Sequence, residues 1–197
     1  MSDSDKTHKN PNLRGTSVVP DTPKSVSVTP AKATVTVKPA VLELDDKKWK
    51  IEYQQNKNDL IVDKTDLKHT VYIYQCKNCT ITVKGKVNSI LIDSCQRVGL
   101  LFDDVLSTVE FINSNNVQMQ VLGRVPTVTI EKTDGCQVYL SKKSLDTEII
   151  SSKSSSMNVL IPSETEENDF SEHPIPEQFK TTFDTKSKKM LTGPTEI

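Results

Sequence analysis

The sequence predicts an all-β fold: a right-handed parallel β-helix of about six coils, followed by a C-terminal β-hairpin. Three observations support this prediction: an internal repeat, apolar residues that alternate within each copy, and a polar step between the two halves of each copy. A copy is shorter than a strand–helix unit, which needs roughly 30 residues. We therefore expect successive copies to stack at the strand spacing of roughly 4.8 Å.

The repeat consists of five segments that begin 19, 19, 19 and 21 residues apart. They are Thr70–Gly85, Ser89–Asp104, Thr108–Gly123, Thr127–Lys142 and Glu148–Ser163. Apolar residues recur at the second, fourth, tenth, twelfth and fourteenth positions, and spacing by two is typical of strands rather than helices. An imperfect sixth copy precedes them, in register if one residue is inserted, and is predicted to cap the β-helix. Its apolar residues are Trp49, Ile51, Leu60 and Val62.

Each copy has a polar step between its two strands, for example Gln75–Asn78 and Lys132–Gly135. Asn, Asp, Ser and Gly recur in these steps, and they tolerate tight or left-handed backbone conformations. The seventh position of every copy is small, as a ladder of stacked corner residues requires. These residues are Cys76, Cys95, Ser114, Thr133 and Ser154. The cysteines, including Cys79 and Cys136 at the tenth position, are therefore predicted to be packing residues.

Cys76-Lys-Asn-Cys79 also has the spacing of half a zinc site or of a redox pair, which is the alternative interpretation of these thiols. A structural zinc site needs two further ligands, and the sequence contains no second CxxC. The three histidines are scattered and do not pair at metal-binding spacing. The sequence therefore favours packing over metal or redox chemistry, and it predicts no metal and no cofactor.

Composition divides the chain into four regions. Residues 1–14 are polar and charged. Residues 15–39 contain four prolines among Ser, Thr, Val and Lys, and they are predicted to be a flexible, locally extended linker because proline cannot donate to a strand ladder. Residues 40–163 carry the repeat, and residues 164–197 form a charged extension.

The extension has the pattern of a β-hairpin. Phe179, Thr181 and Phe183 alternate, a polar turn follows, and a second strand is predicted from Met190. An isolated hairpin is marginally stable in water. It must therefore pack on its own β-helix or on that of another chain, and the sequence leaves both arrangements open.

Bulk composition excludes several classes of protein. A net charge of -1 with 26% charged residues gives no indication of nucleic-acid binding or of a polybasic membrane patch. No run of 18 apolar residues predicts a membrane span, and MSDSDKTHKN lacks the apolar region of a secretory signal. We therefore expect a cytoplasmic protein.

Five motifs resemble the CARP domain of cyclase-associated proteins, and the resemblance runs from about Pro39 to the end of the chain. They are FDDV (Phe102–Val105), GRVPTVTIEKTDGC (Gly123–Cys136), YLSKKSLDTEI (Tyr139–Ile149), KSSSMNVLIP (Lys153–Pro162) and PIPEQFKT (Pro174–Thr181). DKTHKNPNLRG (Asp5–Gly15) is similar to the tail of the WASP-homology-2 actin-binding motif that precedes this domain in the family. Only MSDSD stands where the helix of that motif is expected, so we expect at most a truncated motif.

The resemblance implies that the protein binds ADP-loaded actin monomers and promotes exchange of ADP for ATP, alongside cofilin and profilin, without catalysing a reaction. It also implies a homodimer that swaps C-terminal strands and a location on the actin cytoskeleton. The actin-binding residues that it implies are Lys132, Asp134, Lys142, Lys143, Lys153, Glu177, Phe179, Lys180, Thr195, Glu196 and Ile197. The dimerisation residues that it implies are Phe179, Thr181, Phe183 and Met190.

Two other functions fit a parallel β-helix. Polysaccharide-cleaving enzymes of this fold need converging carboxylates, but the only tight acidic pair in the repeat is Asp103-Asp104, and strand neighbours point to opposite faces. The tubulin cofactor C family shares the fold and activates GTPases with an arginine finger, for which Arg97 is the candidate on the coils apart from Arg124. The wider match favours actin, and the arginine-finger GTPase-activating module is the alternative.

Overall fold

The computed structural model describes residues 38–164 and 169–195, and these residues form strands and turns without a helix. None of them forms a helix long and apolar enough to cross a membrane. The expectations for the truncated actin-binding motif and for almost all of the linker fall on residues 1–37, outside the described residues.

Sixteen strands follow one another along the described chain. They are β1 Val41–Asp45, β2 Lys48–Glu52, β3 Gln55–Val62, β4 Thr70–Tyr74, β5 Lys77–Val87, β6 Ser89–Asp93, β7 Gln96–Val105, β8 Thr108–Ile112, β9 Asn115–Val121, β10 Thr127–Glu131, β11 Asp134–Tyr139, β12 Glu148–Ser152, β13 Ser155–Pro162, β14 Phe170–Pro174, β15 Phe179–Asp184 and β16 Lys189–Pro194.

The strands form two seven-stranded sheets and one hairpin. Sheet A has the order β1-β2-β4-β6-β8-β10-β12, sheet B the order β14-β13-β11-β9-β7-β5-β3, and β15 pairs with β16. From β2 to β13 the chain alternates between the two sheets, and every neighbouring pair within this stretch is parallel. The six successive strand pairs are therefore six coils of a parallel β-helix, as the repeat predicts.

The register confirms the alignment of the repeats. Val109 of β8 pairs with Ile90 and Val128 of the neighbouring coils, and all three are buried. In the first coil, Lys57 pairs with Cys79 but Leu60 pairs with Ile81, so β3 carries one extra residue. This bulge is the insertion that the sequence required. The core is a stack of thin aliphatic layers in which Phe102 and Phe111 are among the largest fully buried side chains.

Antiparallel strands at opposite ends of the β-helix do not follow the repeat and were not predicted. β1 pairs with β2 at the start of sheet A, and β14 pairs with β13 at the end of sheet B. At each of these ends the antiparallel strand pairs with the outermost parallel strand. It therefore covers an edge to which a strand of another chain could otherwise pair. At the end of sheet A, β12 pairs with β10, and no other described strand pairs with its far side.

The short steps from sheet A to sheet B have a common backbone conformation. The first and last residue of each four-residue step has a positive φ, for example 49° at Gln75 and 51° at Asn78. Left-handed backbone costs roughly 1–2 kcal/mol for a residue with a side chain. Hydrogen bonds between coils offset this cost, such as the one that the N–H of Lys132 donates to the carbonyl of Ser152 at 3.0 Å.

The β-helix therefore has two unlike edges, which we name here. The turn edge consists of the six short steps that lead from sheet A to sheet B. The return edge consists of the connections from sheet B back to sheet A together with the ends of β5 and β7. Its residues are 63–69, 84–88, 103–107, 122–126 and 140–147.

Candidate functional site

Two of the predicted actin-contacting lysines stack on the turn edge. Lys132 opens the step between β10 and β11, and Lys153 opens the step between β12 and β13, with φ values of 47° and 52°. Both side chains are exposed. Because they occupy the same position in adjacent coils, their backbones lie roughly one strand spacing, about 4.8 Å, apart.

Asp134 lies on the same edge and ties three coils together. Its carboxylate accepts hydrogen bonds from the Ser155 hydroxyl at 2.7 Å and from the Asn115 side-chain amide at 3.4 Å. The Lys132 ammonium lies 3.9 Å from a carboxylate oxygen of Glu131. The turn edge thus offers exposed cations beside fixed carboxylates rather than a uniformly basic surface.

The segment after β14 brings a further charged residue to this edge. The N–H of Ile175 donates to the carbonyl of Met157 at 2.9 Å, so the segment follows the last coil. The Glu177 carboxylate then accepts a hydrogen bond from the N–H of Ser156, the last residue of the step that Lys153 opens. Glu177 therefore lies on the same edge as Lys132, Asp134 and Lys153.

Lys142 and Lys143 lie elsewhere. They belong to the connection between β11 and β12, on the return edge, which is separated from the turn edge by the width of the sheets. Ser144 anchors this connection: it is fully buried, and its hydroxyl donates to the carbonyl of Gly123 at 3.0 Å. The sequence placed five residues of the coils in one actin-binding set: Lys132, Asp134, Lys142, Lys143 and Lys153. It could not separate them, because a sequence does not show on which edge of the β-helix each connection lies.

The remaining tail residues belong to the hairpin. Phe179 pairs with Pro194 and Lys180 with Gly193, and Thr195 continues this pairing through a 3.0 Å bond from its N–H to the carbonyl of Gln178. The predicted alternation is confirmed, since β15 and β16 flank a turn that begins after Asp184. Glu196 and Ile197 fall outside the described residues.

The predicted dimerisation residues share one face of the hairpin. Phe183 pairs with Met190, and the hydroxyls of Thr181 and Thr192 lie 3.1 Å apart between this pair and Phe179. Phe179, Phe183 and Met190 are each more than half exposed. The hairpin therefore presents an uncovered apolar face.

The cysteines occupy the positions that packing predicts. All four thiols are buried and unpaired by disulfides. Burial raises the pKa of the Cys136 thiol to about 12 and also raises that of Cys79, which makes both poor nucleophiles. Within the described ranges, no three His, Cys, Asp or Glu side chains are grouped so as to hold a metal ion.

The acidic pair Asp103-Asp104 is engaged in holding neighbouring coils. Asp103 accepts a 2.6 Å hydrogen bond from the N–H of Gly85 in the preceding coil. Asp104 accepts a 2.8 Å bond from the N–H of Arg124 in the following coil. The two carboxylates therefore point to different coils and do not converge on a shared substrate position.

The Arg97 side chain is tied to the preceding coil. Its Nε donates a 2.5 Å hydrogen bond to the Asn78 side chain, whose amide nitrogen donates to Asn56 at 2.9 Å. An arginine finger must extend its guanidinium into another protein's nucleotide site. The bond to Asn78 instead aligns Arg97 with a row of side chains on adjacent coils.

That row borders an open groove of about 720 Å³ on the outer face of sheet B, next to the turn edge. Amide side chains dominate its lining: Asn58, Asn78, Asn116, Gln118, Gln137 and Asn158. Sequence reasoning did not single out these residues. The available signal was the recurrence of amides at the outward positions of the second strand of successive repeats.

Comparisons with known proteins agree with this architecture. The chain matches the family described as "Adenylate cyclase associated (CAP) C terminal" over residues 38–197. Adenylyl cyclase-associated protein 1 of Bos taurus is 52% identical over 201 residues, which cover 100% of this chain and 42% of that protein. Adenylyl cyclase-associated protein 2 of Homo sapiens is 50% identical, again over 100% of this chain and 41% of that protein. The chain thus spans about two fifths of the length of these curated relatives.

A solved structure shares the fold. The crystal structure of cyclase-associated protein from Cryptosporidium parvum matches with a TM-score of 0.77 and 33% sequence identity, over 80% of this chain and 96% of that chain. The family match extends over more than half of the chain, and the solved structure shares its fold. The chain belongs to the family of cyclase-associated protein C-terminal domains.

Proposed function

We propose that this chain binds ADP-loaded actin monomers and promotes exchange of ADP for ATP, which recycles actin for filament turnover. Membership of the cyclase-associated protein family supports an actin-related role. The observation that carries the proposal is the convergence of Lys132, Lys153 and Glu177 on the turn edge, where the tail meets the β-helix. On this proposal the protein works in the cytoplasm, on the actin cytoskeleton, alongside cofilin and profilin.

The proposed actin-binding surface is the turn edge with the tail. Its mixed charges, Lys132 and Lys153 beside Asp134 and Glu177, suit a protein partner, because complementary charges set the orientation and rate of association. The tail residues included in this surface are Phe179, Lys180, Thr195, Glu196 and Ile197. Lys142 and Lys143 are left out of it because they lie on the return edge.

The proposed mechanism requires no chemistry by this chain. Nucleotide exchange is accelerated if the protein binds the open or empty state of actin more tightly than the closed state. A rigid surface of stacked coils is suited to this task, because the side chains that it presents are held by hydrogen bonds such as that of Ser155 to Asp134.

We also propose a homodimer in which the hairpin pairs with a second copy. The apolar face of Phe179, Phe183 and Met190 is exposed on one chain, and a two-stranded hairpin is marginally stable by itself. The side of β12 with which no described strand pairs offers an edge on which a further strand can add. A two-fold dimer would present two actin-binding surfaces.

Charge reversal on one edge at a time tests the proposed surface. We expect Lys132→Glu with Lys153→Glu to weaken binding to ADP-actin by about tenfold or more. The matched control is Lys142→Glu with Lys143→Glu, which changes the net charge equally on the return edge and should bind ADP-actin like the unmodified chain. The measurement is titration of fluorescent ADP-actin. Equal loss in both variants would show a non-specific charge effect and would contradict this assignment of the surface.

A further inference from the structure

The two edges of the β-helix differ in exposed apolar residues. Four leucines, each at least half exposed, lie on the return edge. Every connection of two or more residues on this edge contains one of them. They are Leu67 (50%), Leu106 (53%), Leu122 (51%) and Leu145 (57%). None of the exposed large apolar side chains lies in the described steps of the turn edge. Single exposed leucines are common on protein surfaces, but their recurrence along one edge is not expected from chance exposure.

The return edge is also basic. Seven exposed cations lie on it, against three exposed carboxylates. The cations are Lys64, Lys68, Lys84, Lys86, Arg124, Lys142 and Lys143, and the carboxylates are Asp63, Asp66 and Asp146. Since the whole chain has a net charge of -1, this excess is local to the edge.

The other two carboxylates of this edge are turned into the fold. Asp103 and Asp104 are half-buried, and each accepts a hydrogen bond from the backbone N–H of an adjacent coil. Among the exposed carboxylates, Asp146 pairs with the Arg124 guanidinium at 2.5 Å. The six exposed lysines share the edge with the four leucines, and within the described part of the chain they form no ion pair with a carboxylate.

Exposed leucines and lysines on the same edge match the chemistry of an anionic membrane surface, where apolar side chains enter the headgroup region and cations meet acidic headgroups. The leucines are distributed over the first to the fifth coil, a distance of about 20 Å at the strand spacing. A deformable lipid surface can accept side chains spaced in this way without offering a matching pocket for each. We propose that the return edge docks this domain on membranes that contain anionic lipid.

Co-sedimentation with vesicles tests the proposal. The full chain is mixed with vesicles of phosphatidylcholine alone and with vesicles that also contain phosphatidylserine. We expect binding only to the second kind, weakened by added salt. The variant Leu106→Ser, Leu122→Ser, Leu145→Ser should lose about tenfold or more of this binding, because it removes the apolar contribution. Lys142→Glu with Lys143→Glu should lose a similar amount, because each reversal replaces an attraction by a repulsion.

Matched variants away from this edge act as controls. Ile150→Ser removes an exposed apolar residue on β12, and Lys132→Glu with Lys153→Glu reverses two lysines on the turn edge. Both should bind phosphatidylserine vesicles as the unmodified chain does. Failure of the folded chain to bind these vesicles, or equal losses in test and control variants, would overturn the proposal. It would also be overturned if the leucine variant kept vesicle binding but lost actin binding, since the edge would then be a protein interface.

Discussion

The backbone N–H of Cys95 donates a 3.1 Å hydrogen bond to the side-chain oxygen of Ser114, one coil further along the β-helix. The same bond recurs at 3.3 Å from Ser114 to Thr133 and at 3.1 Å from Thr133 to Ser154. At the start of the ladder, the N–H of Cys76 donates to the Cys95 thiol at 3.4 Å. From Cys95 to Ser154, each corner side chain therefore accepts a hydrogen bond from a backbone N–H of the previous coil, which explains why these positions are small and why most of them carry a hydroxyl.

Replacing one hydroxyl of this ladder should destabilise the domain. Thr133→Val keeps the shape of the side chain but leaves the N–H of Ser114 without its acceptor. We expect the free energy of unfolding to fall by about 1–3 kcal/mol, the cost of an unsatisfied buried donor. The measurement is urea unfolding followed by circular dichroism. The matched control is Thr129→Val on the outward side of β10, which should change stability by less than about 0.5 kcal/mol. Equal effects of the two changes would contradict the role of the ladder.

Gly123 is required by close approach between coils. A Cβ at this position would lie 2.4 Å from a carboxylate oxygen of Asp104 and 2.7 Å from the carbonyl oxygen of Asp103. We expect Gly123→Ala to cost about 1–3 kcal/mol of stability, because a backbone atom has to move. At Gly99 the nearest atom is 3.3 Å away, on the flexible end of the Gln118 side chain. Gly99→Ala should therefore be milder in thermal unfolding, and the reverse order would contradict the packing described here.

The stability of the domain should fall in alkaline solution through its buried thiols. Burial raises the pKa of Cys136 from its ordinary 9.0 to about 12. Between these pH values the unfolded chain loses the proton while the folded chain keeps it, so stability is full below about pH 9 and is lost as the pH rises toward 12. The contribution of one thiol is at most about 1.4 kcal/mol per pH unit.

The variant Cys136→Val isolates this contribution. Valine occupies the same rung in two other coils, at Val98 and Val117, so the side chain fits the ladder. We expect urea unfolding of the variant to depend less steeply on pH above about pH 9 than that of the unmodified chain. An unchanged slope would show that Cys136 is exposed to hydroxide and titrates normally.

The apolar face of the hairpin should hold a dimer together. We expect light scattering to give about twice the chain mass of 22.0 kDa for the unmodified protein. Phe179→Ser with Phe183→Ser should give the single-chain mass, because it removes the apolar face. Leu191→Ser changes the opposite face of the same hairpin and should leave the dimer intact. A stable monomer of the unmodified chain would refute the dimer without affecting the fold.

The coils could be predicted from the sequence because the core imposes a period. Val71, Ile90 and Val109 recur at the same position of each repeat, and stacking places them in one buried ladder. Even the bulge in β3 was visible as a one-residue mismatch. By contrast, β1 and β14 lie outside the period, and their antiparallel pairing serves the ends of the stack rather than its interior.

The candidate sites were less predictable, because they depend on which edge each connection occupies. Lys142 follows Lys132 by ten residues in sequence, yet the two lie on opposite edges. The return-edge cations are spread from Lys64 to Lys143, so neither net charge nor any local run of lysines indicates them. The left-handed backbone at Arg97 and Lys132 could not be predicted either, because Asn and Gly are the residues that favour this conformation.

The rate of ADP release from actin monomers tests the central claim most directly. A fluorescent ADP analogue is loaded on actin, excess ATP is added, and the loss of fluorescence is followed with and without this protein. We predict a several-fold faster release with the unmodified chain and a weaker effect with Lys132→Glu and Lys153→Glu, which alter the surface next to Glu177. No acceleration at concentrations at which the protein demonstrably binds actin would contradict the exchange function and leave a protein that only sequesters monomers.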